Sequence, residues 1–515
     1  MTNATTGSFA VDLARLAYRQ PDAPAVLVGT SLAPKTITYG SLANLVDRAI
    51  ALYGQLGFGA GDSLVSLMPN SVEALVAFLA CIKGGYGFAP LPCTASPREI
   101  QRWLRLIRPR LCLTSELVAA EIGGIVREAD LPLLQVYADA QFSWLPPNAA
   151  NVAPGTQSRL YLSTSGTTGE PKAIVLDGDR LWASGCAFTQ FHRLHGTPLR
   201  FWNYLPMSYL GGLFNLGLIP LCIGGSTVID ESFSGRTFLQ FWQTIERFEV
   251  DALWLVPTIV RGLVKMSEKM QPEALRLRGK RIRTAFLGTA PIDLATKRKF
   301  ETMFGITMLE NFALSETTFL TSEVEGKLNK RIEGSMGEVL PYADLKFVPV
   351  PGTDGRAGAL EIHAKSPYLF LGYLGSDGNV ESPLDNDGFL PTGDLGHLSA
   401  DKQLVLDGRK RDIIKKAGNL VSLREAEVLA QSHEAVHEAA AVPIPHDFYG
   451  ESYVLVVVLK PGHREEELAK VSSFLHENLV KYKWPERLVA RKDLPRTDSG
   501  KVKKHLLASE LTDGA

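Results

Sequence analysis

Across residues 42–56 the apolar positions recur at the spacing of a helix with one buried face, and the next apolar run, 63–68, has the length of a strand. Gly59, Ala60, Gly61 and Asp62 separate the two, and Pro69 and Asn70 close the second. The rhythm returns around 250–257 and 284–287. Alternation of this kind predicts an α/β fold of mainly parallel sheets flanked by helices. A second regime begins at the turn Asp407, Gly408. It holds the charged run Arg409, Lys410, Arg411, Asp412, an amphipathic stretch 424–432, an apolar strand 453–459 and a helix 465–479. The expected division is a large multi-subdomain N-terminal domain over 1–407 and a small, mobile α+β C-terminal domain over 408–515.

Composition narrows the classes. A chain of 515 residues, 45% hydrophobic, can bury more than one core. A net charge of −1 with 21% charged residues gives no sign of a nucleic-acid groove or a polybasic membrane anchor. Cys81, Cys93, Cys112, Cys186 and Cys222 form no C-x-x-C pair, which argues against zinc and for free thiols in a reducing compartment. No run at the start has the continuous apolar core of a signal peptide, and later apolar runs are interrupted. The expectation is a cytoplasmic protein with no integral membrane association.

The chemistry concentrates in Ser163, Thr164, Ser165, Gly166, Thr167, Thr168, Gly169, Glu170, Pro171, Lys172. Two glycines let the backbone aim N–H groups at an anion, the hydroxyls add donors, and Lys172 adds a mobile positive charge. The spacing fits neither the Walker loop nor the dinucleotide-binding G-x-G-x-x-G. Ser/Thr/Gly-rich runs also serve as plain solvated loops.

This run, following the apolar Leu160, Tyr161, Leu162, resembles the first phosphate loop of the adenylate-forming superfamily, with Ala173 where that family usually has glycine. The likeness extends over nearly the whole chain in ordered motifs. Gly288, Thr289, Ala290, Pro291 resembles the adenine-facing Gly-Gly-Ala-Pro, and Asn311, Phe312, Ala313, Leu314, Ser315, Glu316 resembles Asn-Tyr-Gly-x-Thr-Glu. Residues 358–373 resemble the segment ending in Gly-Tyr, and Pro391, Thr392, Gly393, Asp394 resembles Tyr-Arg-Thr-Gly-Asp. Residues 408–418 resemble the Gly-Arg-x-x-Asp hinge segment, and 495–501 the terminal Pro-x-Thr-x-x-Gly-Lys.

The resemblance implies an acyl-CoA synthetase: ATP-dependent activation of a carboxylic acid to an acyl-adenylate, release of pyrophosphate, then transfer to a thiol. Lys501 would bridge carboxylate and α-phosphate. Lys172, with Mg²⁺ held by Glu316, would balance the pyrophosphate. Thr164 to Gly169 and Ser315 would contact phosphate, Phe312 would stack on adenine, and Asn311 would read its amino edge. Asp394 and Arg409 would hold the ribose. Arg411 stands at the hinge, and Lys416, Ala417 and Gly418 at the coenzyme A thiol.

The acid is expected beside Tyr209, Gly211 and Gly212, in Leu205, Pro206, Met207, Ser208, Tyr209, Leu210, Gly211, Gly212. This segment lacks the aspartate that would pair an α-ammonium, so an uncharged hydrophobic or aromatic acid is expected. Two alternatives stay open: loading onto the phosphopantetheine of a carrier protein, and a nucleotide-binding relative without adenylation.

Overall fold

A computed structural model describes residues 7–29, 35–128, 131–136, 142–146, 155, 157–164, 172–289, 292–350, 360–416, 419–496 and 502–512. Two large sheets and one small sheet organise them. In the eight-stranded sheet, Ser63–Leu67 lies between Gly87–Pro90 and Leu111–Ser115, all parallel. Arg159–Thr164 joins this parallel set and then pairs antiparallel with Lys172–Asp177, so the Ser/Thr/Gly run connects adjacent strands. Ala173 is 3% exposed, packs into the core on this second strand and keeps a negative φ, so its methyl group is accommodated.

The thirteen-stranded sheet changes character part-way. Pro24–Val28, Ser226–Ile229, Arg200–Asn203, Ala252–Leu255, Thr284–Leu287 and Met308–Leu314 run parallel in that spatial order. From Met308–Leu314 outward, through Thr318–Ser322, Ser335–Val339, Gln403–Arg409, Leu390–Leu398, Leu360–Lys365 and Asp344–Pro349, every pairing is antiparallel. The parallel half follows the alternation in the sequence. The antiparallel half lacks intervening helices, and sequence periodicity gave it no separate signature.

One continuous apolar core joins the facing sides of both large sheets. Helix Val72–Gly84 is buried from Val72 through Ile82, as an element apolar on all sides must be. Ser71 Oγ caps its start by accepting from the Ala74 N–H, and Gly85, at φ 73°, closes its end. The chain leaves the large sheet at Arg409 and enters the small one at Ile413, slightly beyond the expected division at Gly408. Helices Leu423–Ser432 and Leu468–Asn478 contribute to one apolar cluster of the small domain and Lys504–Thr512 to another.

A buried ion network fastens Met308–Leu314 where the pairing changes sense. Lys297, 1% exposed, donates to Glu310 Oε2 at 3.0 Å and to Glu323 Oε2 at 2.6 Å. Arg331 Nε donates to Glu323 Oε1 at 2.7 Å, and the Glu310 N–H to Glu323 Oε2 at 2.7 Å. Burial pushes the Glu310 carboxyl up to about 7, against the opposing pull of Lys297. The folded state therefore holds this proton more tightly than the unfolded chain, so stability falls as pH rises from about 4.5 to about 7 and is flat above. Urea titrations should show this slope in the native protein and its flattening in Glu310→Gln. Lys297→Met should cost about 3–5 kcal/mol, since it leaves the buried Glu310 without its cation. Equal slopes in native protein and Glu310→Gln would contradict the assignment.

Candidate active site

The carboxyl ends of the parallel strands, where open α/β sheets bind ligands, open into a cavity of about 240 Å³. Ala252–Leu255 supplies Trp254. The turn after Thr284–Leu287 supplies Gly288 and Thr289, and Met308–Leu314 with its following turn supplies Asn311, Ala313, Ser315 and Glu316. Lys172 and Tyr373 enter from the eight-stranded sheet, and Thr392 and Arg409 from the antiparallel half of the larger one. Sequence positions more than two hundred residues apart thus meet at one wall.

Each wall has a local cause. Asn311 Nδ2 donates to the Leu287 carbonyl at 3.0 Å, which fixes the amide and leaves its oxygen to accept from a ligand amino group. Thr289 has φ +77°, a strained value for a β-branched residue, at the position where the motif's second glycine was expected. Asp293 then caps helix Leu294–Phe304, its Oδ1 accepting from the Thr296 N–H at 2.7 Å. Ala313 faces the cavity from the same strand as Asn311, whereas Phe312, between them, is 6% exposed and does not line it. Strand alternation explains the difference, and the Phe312 ring packs in the apolar core.

At the charged end, Tyr373 OH donates to Glu316 Oε1 at 3.2 Å while Lys172 Nζ lies 4.9 Å from the centre of the Tyr373 ring. Burial, reinforced by the Glu316 carboxylate, raises the Tyr373 phenol and keeps it a donor. Arg409 Nε pairs with Asp394 Oδ1 at 2.8 Å, the two residues being direct partners across antiparallel strands. Asp394 is buried beneath that contact, and the Thr392 hydroxyl bonds both the Asp394 N–H, at 3.1 Å, and the Ile362 carbonyl, at 2.6 Å.

The other end is aromatic. Gly211–Leu218 forms a π-helix, a rare geometry often found at functional sites. Asn203 Nδ2 donates to the Gly212 carbonyl at 2.9 Å and Thr227 Oγ1 to the Leu216 carbonyl at 2.7 Å, satisfying its wide-turn carbonyls. Tyr209, Leu210, Gly211, Phe214 and Asn215 face the cavity from this segment, and burial raises the Tyr209 phenol.

Residues 13–374 match the AMP-binding enzyme family, and 425–501 match the AMP-binding enzyme C-terminal domain. The chain belongs to the AMP-binding enzyme family. A sulfoacetate–CoA ligase from Cupriavidus necator is 30% identical over 500 residues, spanning 95% of each chain. An oxalate–CoA ligase from Arabidopsis thaliana is 25% identical over 523 residues, 97% of this chain and 98% of its own. The crystal structure of ATP-bound MatB from Rhodopseudomonas palustris superposes with a TM-score of 0.85 at 24% identity, over 98% of this chain and 99% of that one.

In this AMP-binding enzyme, Ser165, Gly166, Thr167, Thr168, Gly169, Ala290, Pro291, Ala417, Gly418 and Lys501 lie outside the described residues, and of Thr164 and Arg411 only the backbone is described. Arg411 lies in the short 3-10 turn Lys410–Asp412, between the large and small sheets. Lys416 is buried and its ammonium donates to the Trp484 carbonyl at 2.8 Å, so this side chain is engaged in the small domain's own packing rather than offered to a thiol. Tyr373 and Trp254 are additions. The first ends the Gly-Tyr segment legible in the sequence, and the second, on an apolar strand, had no signal.

Gly212 is a correction. A Cβ there would sit 2.3 Å from the Pro206 carbonyl oxygen, so its missing side chain makes room for backbone and not for an acid. Gly212→Ala should therefore lower stability by about 1–3 kcal/mol in urea unfolding, the usual cost of overpacking, without reordering the acids accepted. A reordered acid preference at unchanged stability would return Gly212 to the pocket.

Proposed function

We propose that this AMP-binding enzyme is an ATP-dependent acid:thiol ligase that converts a carboxylic acid to its coenzyme A thioester through an acyl-adenylate. The carrying observation is one cavity lined both by the charged Lys172, Glu316 and Arg409 and by the neutral rings of Tyr209, Phe214, Trp254 and Phe319. A nucleotide polyphosphate suits the first and an acyl group the second. Full-length similarity to CoA ligases supports coenzyme A as the acceptor.

A carboxylate oxygen attacks the α-phosphorus, the bond to the pyrophosphate oxygen breaks, and pyrophosphate leaves. The thiol sulfur then attacks the acyl carbon, its proton is lost, and AMP departs. Bringing carboxylate to phosphate opposes like charges by about 4 kcal/mol at contact for an effective dielectric near 20. Lys172 and Arg409 supply positive charge from the described wall, and Lys501 supplies it at the α-phosphate. Asn311 orients the base, and the Asp394–Arg409 pair sets the ribose side. Withdrawal of Lys501 with the small domain, about the Arg411 turn, clears the way for the thiol.

A Mg²⁺ ion brought with the nucleotide would be held by Glu316. Glu316 presents a carboxylate at the cavity, and no cluster of three or more protein ligands occurs among the described residues. When bound, the ion would supply charge neutralisation for the leaving pyrophosphate. Among the described residues, no helix is long and apolar enough to cross a membrane.

Acid-dependent ATP/pyrophosphate exchange followed by thioester formation with coenzyme A tests the reading. Exchange without thioester, rescued by a holo-carrier protein, would replace the acceptor, and nucleotide binding without exchange for any acid would overturn the ligase. Lys501→Ala should lose roughly 10²–10³ in adenylation rate while retaining thioester formation from a supplied acyl-adenylate. Equal losses in both steps would refute the two-pose role. Glu316→Gln should raise the Mg²⁺ concentration needed for exchange, and native behaviour at limiting Mg²⁺ would remove Glu316 from the metal site.

A further inference from the structure

Trp254 is fully buried, yet its indole Nε1–H has no hydrogen-bond partner. Among the described residues, it is the one cavity-lining side chain whose buried polar atom lacks a partner. The ring cannot turn away to find one. It packs on Phe286 at 4.9 Å between centroids, on Phe319 at 5.4 Å and on Phe188 at 5.7 Å, while the Trp254 carbonyl accepts from the Tyr204 hydroxyl. Gly288 lies over this N–H: a Cβ at 288 would stand 3.5 Å from Nε1 and 3.2 Å from Asn311 Oδ1. Absence of a side chain there leaves room beside the donor. A buried donor left unmade costs free energy that an acceptor on a ligand would recover.

The same aromatic group limits length. Phe214 and Phe319 stack at 5.5 Å and are 1% and 2% exposed, so with Trp254 they close the acyl end. These three rings are uncharged. Lys172 lies over the Tyr373 ring beside Glu316 and Arg409 pairs with Asp394, so a second carboxylate buried beside Trp254 would lack a counter-charge.

We propose that the preferred acid is short and carries an uncharged hydrogen-bond acceptor, such as a ketone oxygen, at the end remote from its reacting carboxylate, bound by the Trp254 indole N–H over Gly288. This rests on the acid:thiol ligase reading. It departs from the dianionic acids in the names of the two relatives and makes Trp254 a specificity-determining residue.

The test compares kcat/KM for acid-dependent pyrophosphate release with 4-oxopentanoate, pentanoate, succinate and dodecanoate on the full-length enzyme. The expected native preference for 4-oxopentanoate over pentanoate is about tenfold, the scale of one neutral hydrogen bond. Trp254→Phe keeps the ring and deletes the donor, so this ratio should fall to about one. Gly288→Ala, which interposes a methyl group before Nε1, should lower it too and serves if Trp254→Phe fails to fold. Turnover of several acids with the ratio unchanged in the folded variants would overturn the Trp254 assignment while leaving the ligase intact. Preference for succinate would overturn the neutral acceptor, and preference for dodecanoate the length limit. Absence of pyrophosphate release with every acid, across a broad panel, would instead overturn the ligase reading on which the proposal rests.

Discussion

Strand Met308–Leu314 is where the large sheet exchanges parallel for antiparallel pairing, and the buried Lys297–Glu310–Glu323–Arg331 network holds it there. Charges removed from water at this depth must be mutually satisfied or the strand shifts. Asn311, Ala313, Ser315 and Glu316 follow directly from this anchor, so a displacement of the strand would move the Asn311 amide and the Glu316 carboxylate together. Helix Leu294–Phe304 carries Lys297 and is capped by Asp293, shortly after the strained Thr289 turn. The network therefore couples two walls of the cavity.

Electrostatics separate the cavity's two ends. The proposed nucleotide side has Lys172 and Arg409, with Tyr373 and Asp394 positioning them through ring contact and ion pair. The proposed acyl side is lined by rings and by backbone at Gly211, with its polarity confined to a few hydroxyl and N–H groups. A carboxylate reaching from the neutral side toward phosphate meets cations only where charge develops, the arrangement that favours a transition state over tight ground-state binding.

Much of this was legible in sequence because the motifs lie at strand ends. Periodicity marked the parallel strands, and the ordered motifs around Lys172, Gly288, Asn311, Glu316, Asp394 and Arg409 named most of the residues that the fold brings together. Period alone did not reveal which strand face a residue takes: Phe312 turns inward to the core while Asn311 and Ala313 turn to the cavity. Gly212 read as pocket space because a missing side chain looks the same whether a ligand or a carbonyl occupies the room. Trp254 sits in an apolar strand, where its unpaired N–H becomes visible only from the surrounding rings. The antiparallel half of the large sheet depends on tertiary pairing across long loops, for which local pattern has no equivalent.

The central claim is that a substrate carboxylate oxygen attacks the α-phosphorus of ATP. It is tested most directly by turning over 4-oxopentanoate labelled with ¹⁸O in its carboxylate and reading the products by mass spectrometry. The account predicts one ¹⁸O in AMP, one in the acyl thioester and none in pyrophosphate. Label in inorganic phosphate, with ADP in place of AMP, would contradict it.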